Sequence, residues 1–372
     1  MKSINSALKV LLSIGGWNFN DCGGAGASSC NLFSDMVSTP ANRATFISNV
    51  VAFLVQHHFD GIDIDWEYPV VAGHNGASST PEDKSNLVIL IKEMRDAFRT
   101  NGLLVTAAVG IGKSTVDQAY DVPSLCDPDT GFDWINLMAY DMHGAWEPIT
   151  GHHTSLYATT DDETAYGYPV SVSWAVDYWL ELGCSSKKLT LGLATYGKTF
   201  QLSPGTSHGM LVSASGAGNA GPGTREKGML AYAEIQTMIN NNELIEVWDQ
   251  ARGVPYAYSS SGMMVAYDNE RSIGLKCDLI KSKDLLGGMN WALDLDEFKK
   301  GYTLLAVVKS KLLINTSPAE ESLLAQHQST SSSVVFAVVG VVSGLVVVAA
   351  AVMIYRTRRN GQEQETIVHY QV

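Results

Sequence analysis

The chain has 372 residues and a formal net charge of −13 at neutral pH, which argues against nucleic acid as a partner, because phosphate backbones are held by basic surfaces. With 45% hydrophobic and 17% charged residues, it suits one large folded domain with additions. Its five cysteines are too few for a disulfide-built scaffold, and no His/Cys group has metal-ligand spacing, so neither a metal nor a cofactor is expected.

Along the chain, strand-like apolar runs alternate with helical ones, the pattern of an α/β fold with a parallel sheet. Strands are expected at 9–13, 61–65, 103–109, 134–138, 189–195 and 286–291. Helices such as 41–57 and 81–99 intervene, the second carrying Leu87, Ile89, Leu90, Ile91, Met94 and Phe98. The first run, behind Met1-Lys2, loosely mimics an export signal. It is short, interrupted and without a small-residue cleavage site, so it reads as a strand. Cys22 and Cys30 close a short Gly/Ser loop and are placed to pair in an oxidising compartment, whereas Cys126, Cys184 and Cys277 read as buried or free thiols. The strands end in polar or aromatic residues, among them Ser13, Tyr140-Asp141, Tyr196 and Trp291, and barrel enzymes build their sites at those ends.

The rhythm breaks at 201–262, a Gly/Ser-rich stretch with a helical run at 229–239 and short strands near 256–258 and 263–267. The expected division is a first barrel part at 1–200, a small inserted α+β subdomain at 201–262 and a last barrel part at 263–314. Residues 315–333 read as a Ser/Thr-rich stalk, with a glycosylation sequon at Asn315-Thr316-Ser317 weakened by Pro318. Residues 334–355 carry no charge and as a helix would span about 33 Å, enough to cross a bilayer. Arg356, Arg358 and Arg359 follow, which places 356–372 in the cytoplasm and the rest outside, as a single-pass protein of the plasma membrane. Tyr370-Gln371-Val372 ends the chain on an apolar residue of the kind PDZ grooves accept, although an idle tail is the plainer reading.

The most informative stretch is Asp60-Gly61-Ile62-Asp63-Ile64-Asp65-Trp66-Glu67. Alternate residues of a strand share a face, so Asp63, Asp65 and Glu67 point one way, roughly 6–7 Å apart, while Ile62, Ile64 and Trp66 point the other. Buried acids must be paired, protonated or functional, and like charges this close push their pKa values apart. A solvated edge strand would carry such acids at little cost, but the apolar flanks at 50–55 and Ile62/Ile64 argue for burial. Asp60 has the opposite parity and is expected to brace the strand.

Read from Asp60 to Glu67, this motif resembles the Asp-Gly-x-Asp-x-Asp-x-Glu signature of the family 18 chitinases. The resemblance extends to Met138-Ala139-Tyr140-Asp141, similar to the family's Met-x-Tyr-Asp, and to Ser13-Ile14-Gly15-Gly16-Trp17, similar to the Ser-x-Gly-Gly of its third strand. It implies a (β/α)8 TIM barrel, of which about six of eight strands are present, leaving an open sheet with unpaired edges. The activity implied is hydrolysis of β-1,4-linked N-acetylglucosamine polymers by a substrate-assisted retaining mechanism, in which the substrate's acetamido oxygen attacks the anomeric carbon. By the same resemblance Glu67 is the general acid, Asp65 orients the acetamide and Asp63 tunes Asp65. Tyr140 donates to the acetamido oxygen and Asp141 contacts the sugar. Trp291 would floor the central subsite, with Met138 and Met289 lining it and Trp17 and Trp146 at the rims. Tyr196 and Lys198 would touch substrate, Lys198 standing where relatives commonly carry Arg and so lacking the planar fork. Chitin or chitooligosaccharides are the expected ligands. The competing expectations are a chitin-binding lectin of the same fold and an inactive truncated relative; the intact acids favour the enzyme.

Overall fold

The computed structural model describes residues 2, 5–20, 22, 29–71, 79–312, 349–359 and 362–371. Five strands, β1 (Lys9–Gly15), β2 (Gly61–Asp65), β3 (Leu104–Val109), β4 (Trp134–Leu137) and β5 (Leu189–Ala194), lie parallel and side by side in chain order. Strands β2 to β5 are buried almost throughout, which is why β3 to β5 read as largely apolar runs, while β2 buries its acids as well. There follow β6 (Tyr196–Leu202), β7 (Ala214–Ala217), β8 (Met229–Ala231), β9 (Ile245–Asp249), β10 (Val254–Tyr258) and β11 (Met263–Ala266). These build a separate antiparallel sheet, with a helix at Tyr232–Asn240. The chain then returns as β12 (Gly287–Trp291), parallel to β5. A last pair, β13 (Ala349–Arg359) and β14 (Gln362–Gln371), joins β12 to β1 and closes a barrel. The fold is therefore a TIM-type barrel, and its six successive parallel staves are the six strands expected from the sequence.

The expected open sheet is not found. Strands β1 and β12 would each present a row of unpaired N–H and C=O groups, and the β13–β14 hairpin pairs both edges. The same pairing overturns two expectations for the C-terminal region. Residues 349–355 are extended rather than the end of a membrane-spanning helix, and 356–359 and 362–371 are strand rather than a free tail with a PDZ-type end. No helix among the described residues is long and apolar enough to cross a membrane. The remainder of the expected span at 334–348, the stalk with its sequon, and Val372 lie outside the described residues.

A third difference concerns the cysteines. Cys126 precedes β4 and Cys184 precedes β5. Neighbouring parallel strands bring those ends together, and the two residues form a disulfide across a separation of 58 that hides the pairing in the sequence. Cys22 and Cys30 are also bonded, while Cys277 is a buried thiol.

Helices cover the outer face. The helix at Pro40–His57 starts on Thr39, whose side chain accepts from the Asn42 N–H, and ends at His58 in a left-handed conformation. The helix at Asp83–Phe98 buries Leu87, Leu90, Ile91, Met94 and Phe98 in the same core as Ile62 and Ile64 of β2 and Val105 and Ala107 of β3. Inside the barrel, Leu11 and Trp134 pack with Leu104 and Leu286 as an apolar plug near the strand starts. Above that plug, towards the strand ends, the polar side chains of Ser13, Asp63, Thr106 and Asn136 meet, at the end where barrel enzymes do their chemistry.

Candidate active site

Strand β2 delivers the acids. It can lie close to β3 because residue 61 is glycine: a Cβ there would come within 2.2 Å of the Leu104 carbonyl oxygen. Asp60, at the strand's start, accepts from the Val10 N–H at 2.7 Å and pairs with Lys2 at 2.5 Å, so it braces the sheet far from the acids' end. Asp63 is fully buried in the barrel interior. Its carboxylate accepts from Ser13 Oγ at 3.1 Å, Thr106 Oγ1 at 2.5 Å and Asn136 Nδ2 at 3.2 Å, donors from three neighbouring strands. Asn136 is fixed in turn by Trp134 Nε1 at 3.1 Å and Thr190 Oγ1 at 2.7 Å. Asp65 is buried at the strand end. Its carbonyl accepts from the Gly16 N–H at 2.8 Å, and the turn at Gly15, with φ of +109°, leaves no room there for a side chain.

Glu67 lies just beyond the strand, buried, with its N–H donated to Asn20 Oδ1 at 3.3 Å. Burial raises its pKa from 4.5 to about 7, and the Asp141 charge adds to the rise. Hydrogen bonds from the Tyr68 hydroxyl and the Trp17 N–H act in the opposite sense. The like charge that helps keep Glu67 protonated thus comes from Asp141, beyond β4. The Glu67–Tyr68 and Trp291–Ala292 peptide bonds are both cis.

Tyr140 and Asp141 follow β4. Tyr140 is buried and donates to the Met289 sulfur at 3.7 Å, a weak acceptor. Burial, and after it the surrounding carboxylates led by Asp65, pushes its hydroxyl well above the ordinary tyrosine range, so it keeps its proton. Asp141 has φ of +56°, a conformation its short side chain tolerates. Its carboxylate, 43% exposed at the mouth of a cleft walled by protein on its other sides, accepts from Tyr196 OH at 2.6 Å, pairs with Lys198 Nζ at 3.1 Å and lies 3.5 Å from His153 Nδ1. Burial works against the charge, yet His153, Lys198 and Tyr196 together hold the Asp141 pKa at about 2. His153 is itself pushed down by its own complete burial.

The remaining expected residues are distributed around this centre. Met289 is buried beside Tyr140, in a cluster that also holds Tyr196, with Met138 and Trp291 packed against it. Trp17 and Trp146, expected at the rims, are 47% and 64% exposed. The Trp146 indole folds back over Gly144, where a Cβ would meet the ring at 2.1 Å, and Lys198 Nζ sits 5.7 Å above it. A cavity of about 240 Å³ opens beside Glu67, Tyr140 and Asp141 and runs past Met138 towards Tyr168 and Trp174. Trp17, Trp291 and Lys198 lie outside its lining. Among the described residues no group of three His, Cys, Asp or Glu side chains is placed to hold a metal ion.

Several participants escaped the sequence reading. Thr106 and Asn136 are polar residues on the inward face of apolar strands, and period-two bookkeeping could have flagged them. Tyr68 stands beside the acid but hydrogen-bonds it only because of the local chain path. His153 carries no sequence signal beyond the His152-His153 pair.

With this geometry established, known proteins can be compared. The sequence pattern of the glycosyl hydrolases family 18 matches residues 1–296. Chitotriosidase-1 of Mus musculus is 37% identical over 309 residues, covering 81% of this chain and 61% of that protein. The Endochitinase of Manduca sexta is 34% identical over 80% of this chain and 52% of its own length. The chain therefore spans about three fifths or less of these curated relatives. Among solved structures, the Ostrinia furnacalis Group II chitinase catalytic domain 2 superposes with a TM-score of 0.76 at 33% identity, covering 85% of this chain and 80% of that one. Human YKL-39, described as a pseudo-chitinase with retained chitooligosaccharide binding, superposes with a TM-score of 0.73 at 34% identity over 84% and 82% of the two chains.

Proposed function

Because this chain belongs to the family 18 glycosyl hydrolases, we propose that it hydrolyses β-1,4-linked N-acetylglucosamine polymers with Glu67 as the general acid. The observation that carries this reading is the state of Glu67. It is buried, raised to about 7 and open to a cavity, so near neutral pH a substantial fraction holds a proton for a departing glycosidic oxygen. The nucleophile is the substrate's own acetamido oxygen, as in other substrate-assisted glycosidases. It attacks the anomeric carbon as the bond to the leaving oxygen breaks, the Glu67 proton passes to that oxygen, and a cyclic oxazolinium ion results. Asp65 orients the acetamide N–H and faces the developing positive charge. Asp63, braced one layer below by Ser13, Thr106 and Asn136, fixes the strand from which Asp65 projects. Tyr140, protonated and held by nothing stronger than a sulfur, turns its hydroxyl to the acetamido oxygen. Asp141, kept ionised by Lys198 and its neighbours, raises Glu67 and contacts the sugar. Water, activated by the Glu67 carboxylate, then opens the oxazolinium with net retention.

Binding without turnover is the competing reading, given the pseudo-chitinase among the structural neighbours. The presence of Glu67, poised to give a proton, favours the enzyme. Glu67→Gln is expected to lower kcat on N-acetylglucosamine oligomers by about 10²–10⁴-fold while leaving their Kd within a few-fold of the parent chain. Hydrolysis at the parent rate by that variant overturns the assignment.

A further inference from the structure

We infer that His153 is a positioning residue for the proposed reaction, a buried imidazole whose Nδ1–H closes on the Asp141 carboxylate when a sugar fills the cleft. This rests on the reading of Asp141 as a group that contacts the sugar and acts on Glu67. Both rings of the His152-His153 pair are buried, but only one is satisfied. His152 Nε2 donates to the Pro255 carbonyl at 2.9 Å, and its Nδ1 accepts from the Thr154 N–H at 3.2 Å, which fixes one neutral tautomer. His153 has no hydrogen-bond partner at either ring nitrogen among the described residues. Leaving a buried polar group in that state is costly and calls for a reason. Its Nδ1 lies 3.5 Å from Asp141 Oδ1, a little beyond an ordinary hydrogen bond. Hydrogen bonds that serve a reaction are often this long in the empty site and tighten once it is loaded.

The surroundings hold the imidazole where this contact can form. The Met142 N–H donates to the His153 carbonyl at 3.1 Å, so the segment that carries Asp141 is tied to the one that carries His153. The rings of Tyr196 and His152 pack against the imidazole at 5.1 and 6.0 Å. Burial favours the neutral form of both histidines, pushing His152 to about 3 and His153 down from its ordinary value. The charged groups that face His153 are Asp141, Lys198 and Asp268. A neutral imidazole with its proton on Nδ1 can grip a carboxylate without cancelling its charge. The work on Asp141 is then divided: Lys198, at 3.1 Å, supplies the opposite charge, and His153 supplies direction. Direction matters because the Asp141 side chain is 43% exposed and offers its open side to the cleft, so its inner side is where it can be held.

The test replaces the ring in two ways in the full chain. His153→Asn keeps an amide N–H near the place of Nδ1–H, whereas His153→Leu fills the pocket without a donor; His153→Met takes its place if the Leu variant does not fold. If His153 only fills space, the apolar variant is the milder change in stability and in activity alike. If it holds Asp141, His153→Leu lowers kcat/KM on the N-acetylglucosamine tetramer by about 10–100-fold. His153→Asn then recovers most of that loss, although its denaturant midpoint is no higher than that of the Leu variant. A second arm repeats His153→Leu in an Asp141→Gly background, where glycine keeps the left-handed backbone without strain. There the further loss should shrink to about twofold or less, because a residue that acts through Asp141 has nothing left to hold. An Asn variant as impaired as the Leu variant, or an undiminished loss in the Asp141→Gly background, overturns the inference. If the parent chain binds the tetramer without cutting it, the enzyme reading fails by itself, and the same two comparisons read as Kd decide the role of His153.

Discussion

At the scale of single residues, the site is a chain of charges in which each sets the next. Lys198, Tyr196 and His153 keep Asp141 anionic, and that anion helps keep Glu67 neutral. The alkaline limb of a pH profile follows. Turnover needs protonated Glu67, so kcat/KM should fall as pH rises through about 7. Asp141→Asn removes the like charge and should move that limb to lower pH. Because burial is the larger cause of the rise, the limb should stay above the ordinary glutamate value of 4.5. An alkaline limb that does not move, measured on an aryl chitobioside to keep chemistry visible, would mean that Asp141 does not act on Glu67. The residues of this circuit differed in legibility. Asp63, Asp65 and Glu67 announce themselves by spacing within one strand. Lys198 was named as a substrate contact, and its role as the partner of Asp141 depends on how β6 crosses the end of β4, which no local pattern encodes.

At the scale of elements, the parallel strands were readable because they are short, apolar and separated by helical periods. All six were placed within two residues of their ends. What escaped were features made by two distant segments meeting. The Cys126–Cys184 disulfide joins the approaches to β4 and β5. The helix at Glu270–Ser282 carries a local feature that also went unread, a fully buried Lys276 Nζ paired with Asp268 at 2.5 Å, with Ser272 donating to the same carboxylate at 2.6 Å. Burial pushes the lysine down, while Lys276 and Ser272 hold Asp268 below its ordinary value against its own burial. Lys276→Met leaves the carboxylate buried with the Ser272 hydroxyl but without its cation, and should cost about 3–5 kcal/mol in a denaturant titration. Replacing both partners by apolar residues of similar size should cost clearly less. Equal losses in the two variants would show that packing, not charge, is what this pair contributes.

At the scale of the whole molecule, the barrel gathers its acids at the strand ends, with the antiparallel sheet of β6 to β11 branching off between β5 and β12. The chain's net charge of −13 has a consequence for substrate choice. Fully deacetylated oligomers are cationic at mildly acid pH and should be drawn to this protein, with an affinity that falls steeply as salt is added. They lack the acetamido oxygen, so on the proposed mechanism they should bind and not be cut. Rapid hydrolysis of glucosamine oligomers would contradict the substrate as nucleophile. The closing of the barrel by β13 and β14 was not legible, because an apolar, uncharged run carries the same composition whether it lies in lipid or along a sheet edge, and only the partner decides.

The indole of Trp146 rests on a position where only glycine leaves it room. Any other residue at 144 evicts the ring from its place without altering an acid, a donor or a strand. On the proposed reading, substrate range can therefore drift through a position behind that ring: the most exposed aromatic ring of the site keeps its place by an absent methyl group, and the grip of the rim can change while the acids below it stay as they are.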